Sequence, residues 1–286
     1  MGDDFAVFIL THGRPDKVFT YDSLKKSGYT GRIYLVIDNE DELSEQYKAK
    51  YGDKVIEFDK SAIKGSFDTG INYTTPQSTV VYARNANFQI AEKLGIKYFI
   101  QLDDDYSQFV YKFDSDLEYR ERRVKNLDGV LDSMLRFYKS IDALTVAMAQ
   151  NGDFIGGKDG SYGKEIKLHR KAMNTFICST DRPFQFIGNI NEDVNAYVNL
   201  GSKGNLFLTV PNVAIIQTST QKATGGLTDL YLNQGTFVKS FFAVMYNPSS
   251  VKVAEMGDKH RRPHHRVSWN NAVPKIVSES LRKKIK

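Results

Sequence analysis

The sequence predicts a single α/β domain built on a mostly parallel mixed sheet with helices on both faces. Three observations carry this expectation. A short, wholly apolar run, Phe5–Leu10, lies close to the N-terminus. Strand-like and helix-like segments alternate over the residues that follow. A further apolar run at 98–102 passes directly into three consecutive aspartates, Asp103, Asp104 and Asp105. Such alternation favours parallel strands joined by crossover helices, and 286 residues, 41% of them apolar, suffice for the core of one large domain.

Taken in order, Phe5–Leu10 reads as a buried strand that ends in the loop Thr11-His12-Gly13-Arg14-Pro15, because Gly and Pro punctuate an apolar run. A helix is expected over 16–27, a strand over 33–37 ending at Asp38, an exposed helix over 40–51 and a strand at Val55–Phe58. Residues 60–78, rich in Gly, Ser, Thr and Asp without a sustained period, read as a long surface connection. Val80, Ala83, Ala86, Asn87, Ile90, Ala91 and Leu94 then recur at helical spacing, with Thr79 as a possible cap and Gly95 as the stop. Past the aspartates, Tyr106–Phe113 alternates like a strand, 127–139 reads as a helix and 143–147 as a strand. The glycines of 152–163 suggest a loop near a site or a plain surface excursion. A short helix over 192–200 and short strands at 206–208 and 213–217 follow, whereas 237–245 fits either helix or strand.

Composition narrows the function classes. No window reaches the roughly 18 unbroken apolar residues that a bilayer crossing needs, so no membrane partner is expected. The acidic start Met1-Gly2-Asp3-Asp4 is unlike a secretory signal, which leads us to expect a cytoplasmic protein. Cys178 is the single cysteine, which excludes an internal disulfide and a cysteine-built zinc site. The net charge of +5 is concentrated late, in Lys259 to Arg266 and Arg282 to Lys286. Such a cluster fits either a polyanionic partner or a solvated basic tail.

Three adjacent carboxylates at the end of a buried strand repel one another and resist desolvation, a cost that a divalent cation removes. An all-oxygen set suits Mg²⁺ or Mn²⁺, and in open α/β sheets ligands bind beyond the carboxyl ends of the strands. A solvated acidic turn is the competing reading. Asp38 ends another strand and could accept hydrogen bonds from a ribose or base, or cap a turn. Thr11, His12, Gly13 and Arg14 line the same rim, with Arg14 able to pair with phosphate. Arg84 and Asn87, three apart on a helix, share a face that could turn inward. Glu192 and Asp193 could carry acid–base chemistry or simply occupy the first turn of a helix, where acidic residues are favoured.

The strand at 5–10, Asp38, Ala83-Arg84-Asn85, Leu102-Asp-Asp-Asp105 and Asn191-Glu192-Asp193 stand in the order seen in glycosyltransferases of the GT-A fold, which the chain resembles over about two thirds of its length. The resemblance implies a GT-A-like, Rossmann-like domain over 1–286, with a donor half to about residue 105 and an acceptor half beyond it. In that family the triplet is the DxD motif, so Asp105 and Asp103 are the implied metal positions and Asp103 or Asp104 lies near the ribose. Asp38 matches the nucleoside-contacting aspartate. Glu192-Asp193 resembles the xED motif, whose final aspartate is the general base of inverting members. A late histidine often completes the metal shell, which makes His264 or His265, or the earlier His260, a candidate.

Phe186-Ile-Gly-Asn-Ile-Asn-Glu-Asp193 and the basic stretch from Lys259 to Asn271 resemble, more closely, the phage TET-associated glycosyltransferases. That implies a UDP-sugar donor, Mn²⁺ or Mg²⁺, and 5-hydroxymethylcytosine in double-stranded DNA as acceptor. Arg261, Arg262 and Arg266 could contact either the DNA backbone or the donor diphosphate, and Trp269 either an extruded base or the core. A protein or glycan hydroxyl is the alternative acceptor. A nucleotidyltransferase is disfavoured because no Gly-rich phosphate loop followed by Lys trails the first strand. A non-catalytic DNA-binding module is disfavoured by the intact Asp103, Asp105 and Asp193.

Overall fold

The computed structural model describes residues 1–70, 79–150, 154, 166, 168–169, 171–217, 227–256 and 262–274. The chain opens with β1 (Phe5–Leu10), every residue of which is buried. Successive side chains of a strand point to opposite faces, so β1 serves two cores. Phe5, Val7 and Ile9 pack with Leu24, Leu131 and Leu135, while Ala6, Phe8 and Leu10 pack with Val81, Phe88, Val194 and Val198. Helix α1 (Phe19–Lys26) follows a short turn, then β2 (Arg32–Asp38), α2 (Ser44–Tyr51), β3 (Val55–Phe58), the single turn α3 (Lys60–Ile63) and α4 (Val80–Lys93). Gly95, at φ +65°, ends α4 as expected. Its N–H bonds to the Glu92 carbonyl and that of Ile96 to Ala91. Thr79 does not cap this helix; its hydroxyl donates to Asn189 Oδ1, 3.2 Å away.

Strand β4 (Tyr98–Asp103) carries the first aspartate, and β5 (Tyr106–Phe113), β6 (Tyr119–Arg123), α5 (Leu127–Ser140) and β7 (Thr145–Gln150) follow. Then come β8 (Thr175–Ser179), α6 (Glu192–Ser202), β9 (Phe207–Gln217) and α7 (Leu227–Tyr246). The last elements are β10 (Val251–Met256), β11 (Arg262–Val267) and α8 (Trp269–Ala272). Nine strands form one sheet in the order β3-β2-β1-β4-β8-β7-β9-β5-β6, and β10 with β11 forms a separate antiparallel pair. The first four are mutually parallel, β7 and β9 are parallel, and the other neighbours are antiparallel. The sheet is thus mixed, with helices on both faces, as the sequence predicts. No helix among the described residues is long and apolar enough to cross a membrane.

The register sets the crevice. Leu10 lies opposite Asp103, and Asp38 opposite Phe58, so β1, β2, β3 and β4 end together. The chain runs outward from β1 to β3 and returns to the other flank of β1 at β4. This makes the gap beyond β1 and β4 the switch point where open α/β sheets bind ligands.

Several expectations are corrected. Lys60, Ile63, Phe67 and Thr69 are buried, so the first part of 60–78 packs against the sheet and is no surface connection; 71–78 lie outside the described residues. The strands expected at 206–208 and 213–217 are one strand, β9, because Pro211 sits within it without ending it. Residues 237–245 are helical, within α7.

Gly188 closes the turn before α6 at φ +83°, donating its N–H to the Asp68 carbonyl at 2.7 Å. A Cβ there would meet Asn195 Nδ2 at 2.5 Å and the rings of Tyr246 and Phe242 at 2.8 and 2.9 Å. Gly188→Ala is therefore expected to lower stability by about 2 kcal/mol, read as a drop in the urea midpoint with an unchanged slope.

Candidate active site

The three aspartates divide between different partners. Asp104 is 1% exposed. Its carboxylate receives Arg14 Nε and Nη2, each at 2.7 Å, and Thr11 Oγ1 at 2.6 Å. Tyr47 ties the assembly to α2, its hydroxyl pairing with that of Thr11 at 2.8 Å and accepting the Arg14 N–H at 2.9 Å. Thr11, Arg14 and Asp104 are thus bound to one another beneath the rim. The backbone of the triplet is held from α1, where Thr20 donates its hydroxyl to the Asp103 carbonyl and its N–H to the Asp104 carbonyl.

Asp103 and Asp105 turn elsewhere. Asp103 Oδ1 accepts from Arg84 Nη2 at 2.9 Å. Asp105 accepts from Gln217 Nε2, at the end of β9, at 2.9 Å. Burial pushes Asp103 up to about 7 against the pull of Arg84, with Asp105 and Glu192 adding repulsion. Burial likewise raises Asp105 to about 6, opposed by Gln217 and reinforced by Asp104.

Arg84 is completely buried. Its Nε donates to Glu192 Oε1 at 2.9 Å, and its guanidinium lies over the rings of Phe176 and Phe186. Although burial works against its charge, Asp103 and Glu192 hold it protonated. Asn174, at φ +53°, sets its side-chain oxygen 3.4 Å from the same guanidinium. Glu192 and Asp193 begin α6 after Asn191, at φ +55°, and both are 5% exposed. Burial raises Asp193 to about 6, the Glu192 charge pushing the same way and the Val194 N–H opposing. Helix α6 thereby brings Glu192 to Arg84 and so to the aspartate end of β4.

A second group surrounds Asp38. His12 Nδ1 lies 3.0 Å from Asp38 Oδ2 and 3.6 Å from Asp41 Oδ2. Gly13, at φ +67°, donates its N–H to Asp41 at 2.8 Å. The Asp38 hydrogen bond holds His12 above its ordinary value despite burial. Burial alone would raise Asp38, but His12 and Lys60 outweigh it and hold the carboxyl low.

Other expected residues lie elsewhere. Asn87 is fully buried and donates to Gln101 Oε1 within β4 at 3.0 Å, which places it in the core and away from the rim. His264 and His265 lie on β11 with rings stacked at 4.3 Å. Burial and the charge of Lys171 push them down to about 4 and about 3. Surrounding cations make that a poor seat for a metal, and among the described residues no three His, Cys, Asp or Glu converge as a metal site. Trp269 stacks on Tyr197 of α6 at 5.6 Å. Arg262 is exposed, and Arg266 pairs in register with Lys252. Arg261 and His260 lie outside the described residues, as does almost all of the glycine-rich stretch.

The sequence profile of the TET-associated glycosyltransferases matches residues 5–226. The chain belongs to the TET-associated glycosyltransferase family. It is a glycosyltransferase, and the match spans both the aspartate triplet and Asp193. No curated protein matches the chain in sequence. Three solved structures are similar in shape. A mycobacterial protein has 8% identity over 92% of this chain and 83% of its own, with a TM-score of 0.49. Glucosyl-3-phosphoglycerate synthase from Mycobacterium tuberculosis, solved with Mn²⁺, UDP and phosphoglyceric acid, has 8% identity over 92% and 86%, with a TM-score of 0.48. S. aureus TarS 1–349 has 13% identity over 75% and 60%, with a TM-score of 0.42.

Asp104 and Asp105 should therefore respond oppositely to substitution. Asp104→Ala strands Arg14 and Thr11 and is expected to cost about 3 kcal/mol. Asp105 has a raised folded value, so the folded state holds its proton more tightly than the unfolded chain does. Stability from this group then falls as pH climbs from the ordinary carboxylate range through about 6. Asp105→Asn should flatten that fall in metal-free protein, measured by urea unfolding from pH 4 to 8.

Proposed function

We propose that the chain transfers a sugar from a UDP-sugar to the hydroxyl of 5-hydroxymethylcytosine in DNA, with Asp193 as general base. The observation that carries this reading is the link from Asp103 through Arg84 to Glu192, which brings Asp193 toward the aspartate end of β4, with Asp103, Asp105 and Asp193 raised above the ordinary carboxylate range. Five desolvated carboxylates, Asp103, Asp104, Asp105, Glu192 and Asp193, against the two arginines Arg84 and Arg14 leave an excess of negative charge, and oxygen donors of this kind fit a hard divalent ion. Mn²⁺ or Mg²⁺ would be held by Asp105 and Asp103 and would supply counter-charge for a leaving diphosphate.

In this reading residues up to about 105 form the donor half, with His12, Gly13 and Asp38 at the nucleoside. The acceptor half brings Asp193. An Asp193 oxygen takes the proton of the acceptor hydroxyl as that oxygen bonds to C1 of the sugar. The bond from C1 to the diphosphate breaks, UDP leaves with the electron pair, and the anomeric centre inverts. Buried Glu192 keeps Arg84 in place, and its negative charge beside Asp193 raises the basicity of the base. The acceptor in this reading is supported by the family's name, which associates its members with TET enzymes, and by the late surplus of cation. A base within a duplex must be extruded to reach such a site.

Asp105→Asn is expected to abolish metal-dependent UDP binding, whereas Asp193→Asn keeps binding and loses turnover. Equal loss of UDP binding in both, by calorimetry, would contradict the roles. Because Asp193 acts only when ionised, kcat/KM should fall about tenfold per pH unit below about 6. Mass spectrometry of nucleosides from treated DNA should show a sugar-sized gain on hydroxymethylcytosine alone. Release of free UDP with no gain on the modified base would keep the transferase and discard this acceptor.

A further inference from the structure

Within reach of Asp193 the fold also gathers positive charge. Asn191, which precedes the Glu192-Asp193 pair, donates its side-chain N–H to the Lys239 carbonyl of α7 at 2.6 Å. Helix α7 packs against β11, which carries Arg262, His264 and His265. Thr209 of β9 donates to the Lys171 carbonyl at 2.7 Å, fixing Lys171 just before β8. These groups lie close enough to feel one another. Burial lowers Lys239, with Asp193 opposing and Arg262 and Lys171 adding repulsion, and Lys171 acts on Asp193, His264 and His265. His265 is 6% exposed, and neither ring nitrogen has a hydrogen-bond partner among the described residues. A neutral imidazole carries one N–H donor and one acceptor, and a buried pair of this kind without partners calls for an explanation.

We propose that Lys171, Lys239 and Arg262, with the imidazoles of His264 and His265, form a pocket for a phosphodiester of the acceptor nucleic acid. The proposal rests on Asp193 receiving the acceptor hydroxyl and on that acceptor being DNA. A base presented to Asp193 brings its own backbone phosphates with it, so an anion must lie nearby. A phosphate would give the buried imidazole N–H an acceptor and relieve the repulsion among the cations, whereas a neutral glycan or protein hydroxyl could accept the hydrogen bond but would leave the repulsion. The donor diphosphate is the competing occupant, and in the proposed function its charge is met by the cation that Asp103 and Asp105 would hold.

The test is fluorescence anisotropy with a short unmodified single-stranded DNA, without donor. The double variant Lys171→Gln, Lys239→Gln should bind about tenfold more weakly. Its slope of log K against log salt should be shallower by up to about 0.7, the value for one phosphate. An uncharged methylphosphonate strand should bind the wild type and the variant alike, Lys171→Arg with Lys239→Arg should retain binding, and Arg262→Gln should also make the slope shallower. A folded double variant that binds DNA like the wild type overturns the proposal. If the double variant does not fold, an unchanged slope in Arg262→Gln does the same. Weaker UDP binding with DNA binding intact would assign the cations to the donor and also overturn it. Lysine-dependent DNA binding without sugar transfer would refute the acceptor reading and leave the pocket. Transfer by the double variant with an unchanged acceptor KM would do the reverse.

Discussion

The site is organised around one buried charge. Arg84 is wholly inaccessible to water, and taking a guanidinium out of water costs several kcal/mol unless it is paired and hydrogen-bonded. It meets Asp103 from the sheet, Glu192 from α6 and the Asn174 oxygen, with Phe176 and Phe186 against its faces. The pair closes a link across 108 residues of chain, from α4 to α6. It joins the parallel half of the sheet, which ends in the aspartates, to the later half that brings Asp193. Truncating Arg84 would leave two desolvated carboxylates facing each other, and the two halves of the site would lose the contact that sets their spacing.

The aspartate triplet shows how the neighbourhood decides what a carboxylate does. Asp104 accepts a two-pronged hydrogen bond from Arg14 and one from Thr11, so it is scaffold; it fixes the loop after β1 and through it the position of His12 and Gly13. Asp103 and Asp105 carry charge that their surroundings do not fully offset, which is the state a cation-binding site requires. Asp103 closes β4, whereas Asp104 and Asp105 form the turn into β5, so the three carboxylates leave a bending backbone and reach three different partners.

Much of the fold was legible because the first hundred residues obey local rules. The apolar run of β1, the helical spacing of α4 and the glycine at 95 each mark their element. The later half was less so. Strand β8 (Thr-Phe-Ile-Cys-Ser) is central and entirely buried, yet five residues without alternation or turn signals are indistinguishable from loop. Strand β6 (Tyr-Arg-Glu-Arg-Arg) is an edge strand whose charged residues face water, and its pattern follows exposure more than pairing. Thr11, His12, Arg14, Asp38 and Arg84 were found from position at strand ends or on a helix face. Asp41, Asn174, Gln217, Lys171 and Lys239 were not, because each reaches the site through tertiary contact and has no local signature.

The late histidines show why residue type alone misleads. A histidine near a basic stretch reads equally well as a metal ligand or as a surface group. Its place among Lys171, Arg262 and Lys239 settles the electrostatic question, because a cation entering there meets like charge at close range. The same imidazoles, kept neutral well below pH 6, can still donate one hydrogen bond each. The site therefore joins an acidic group, Asp103, Asp105 and Glu192, to a basic one, Lys171, Lys239 and Arg262, with Asp193 within reach of both fields. Asp193 feels both, being pushed up by Glu192 and drawn down by Arg84 and Lys171. Its proton affinity is thus set jointly by the two halves of the molecule, and a phosphate that neutralised Lys171 would raise it as the acceptor arrives.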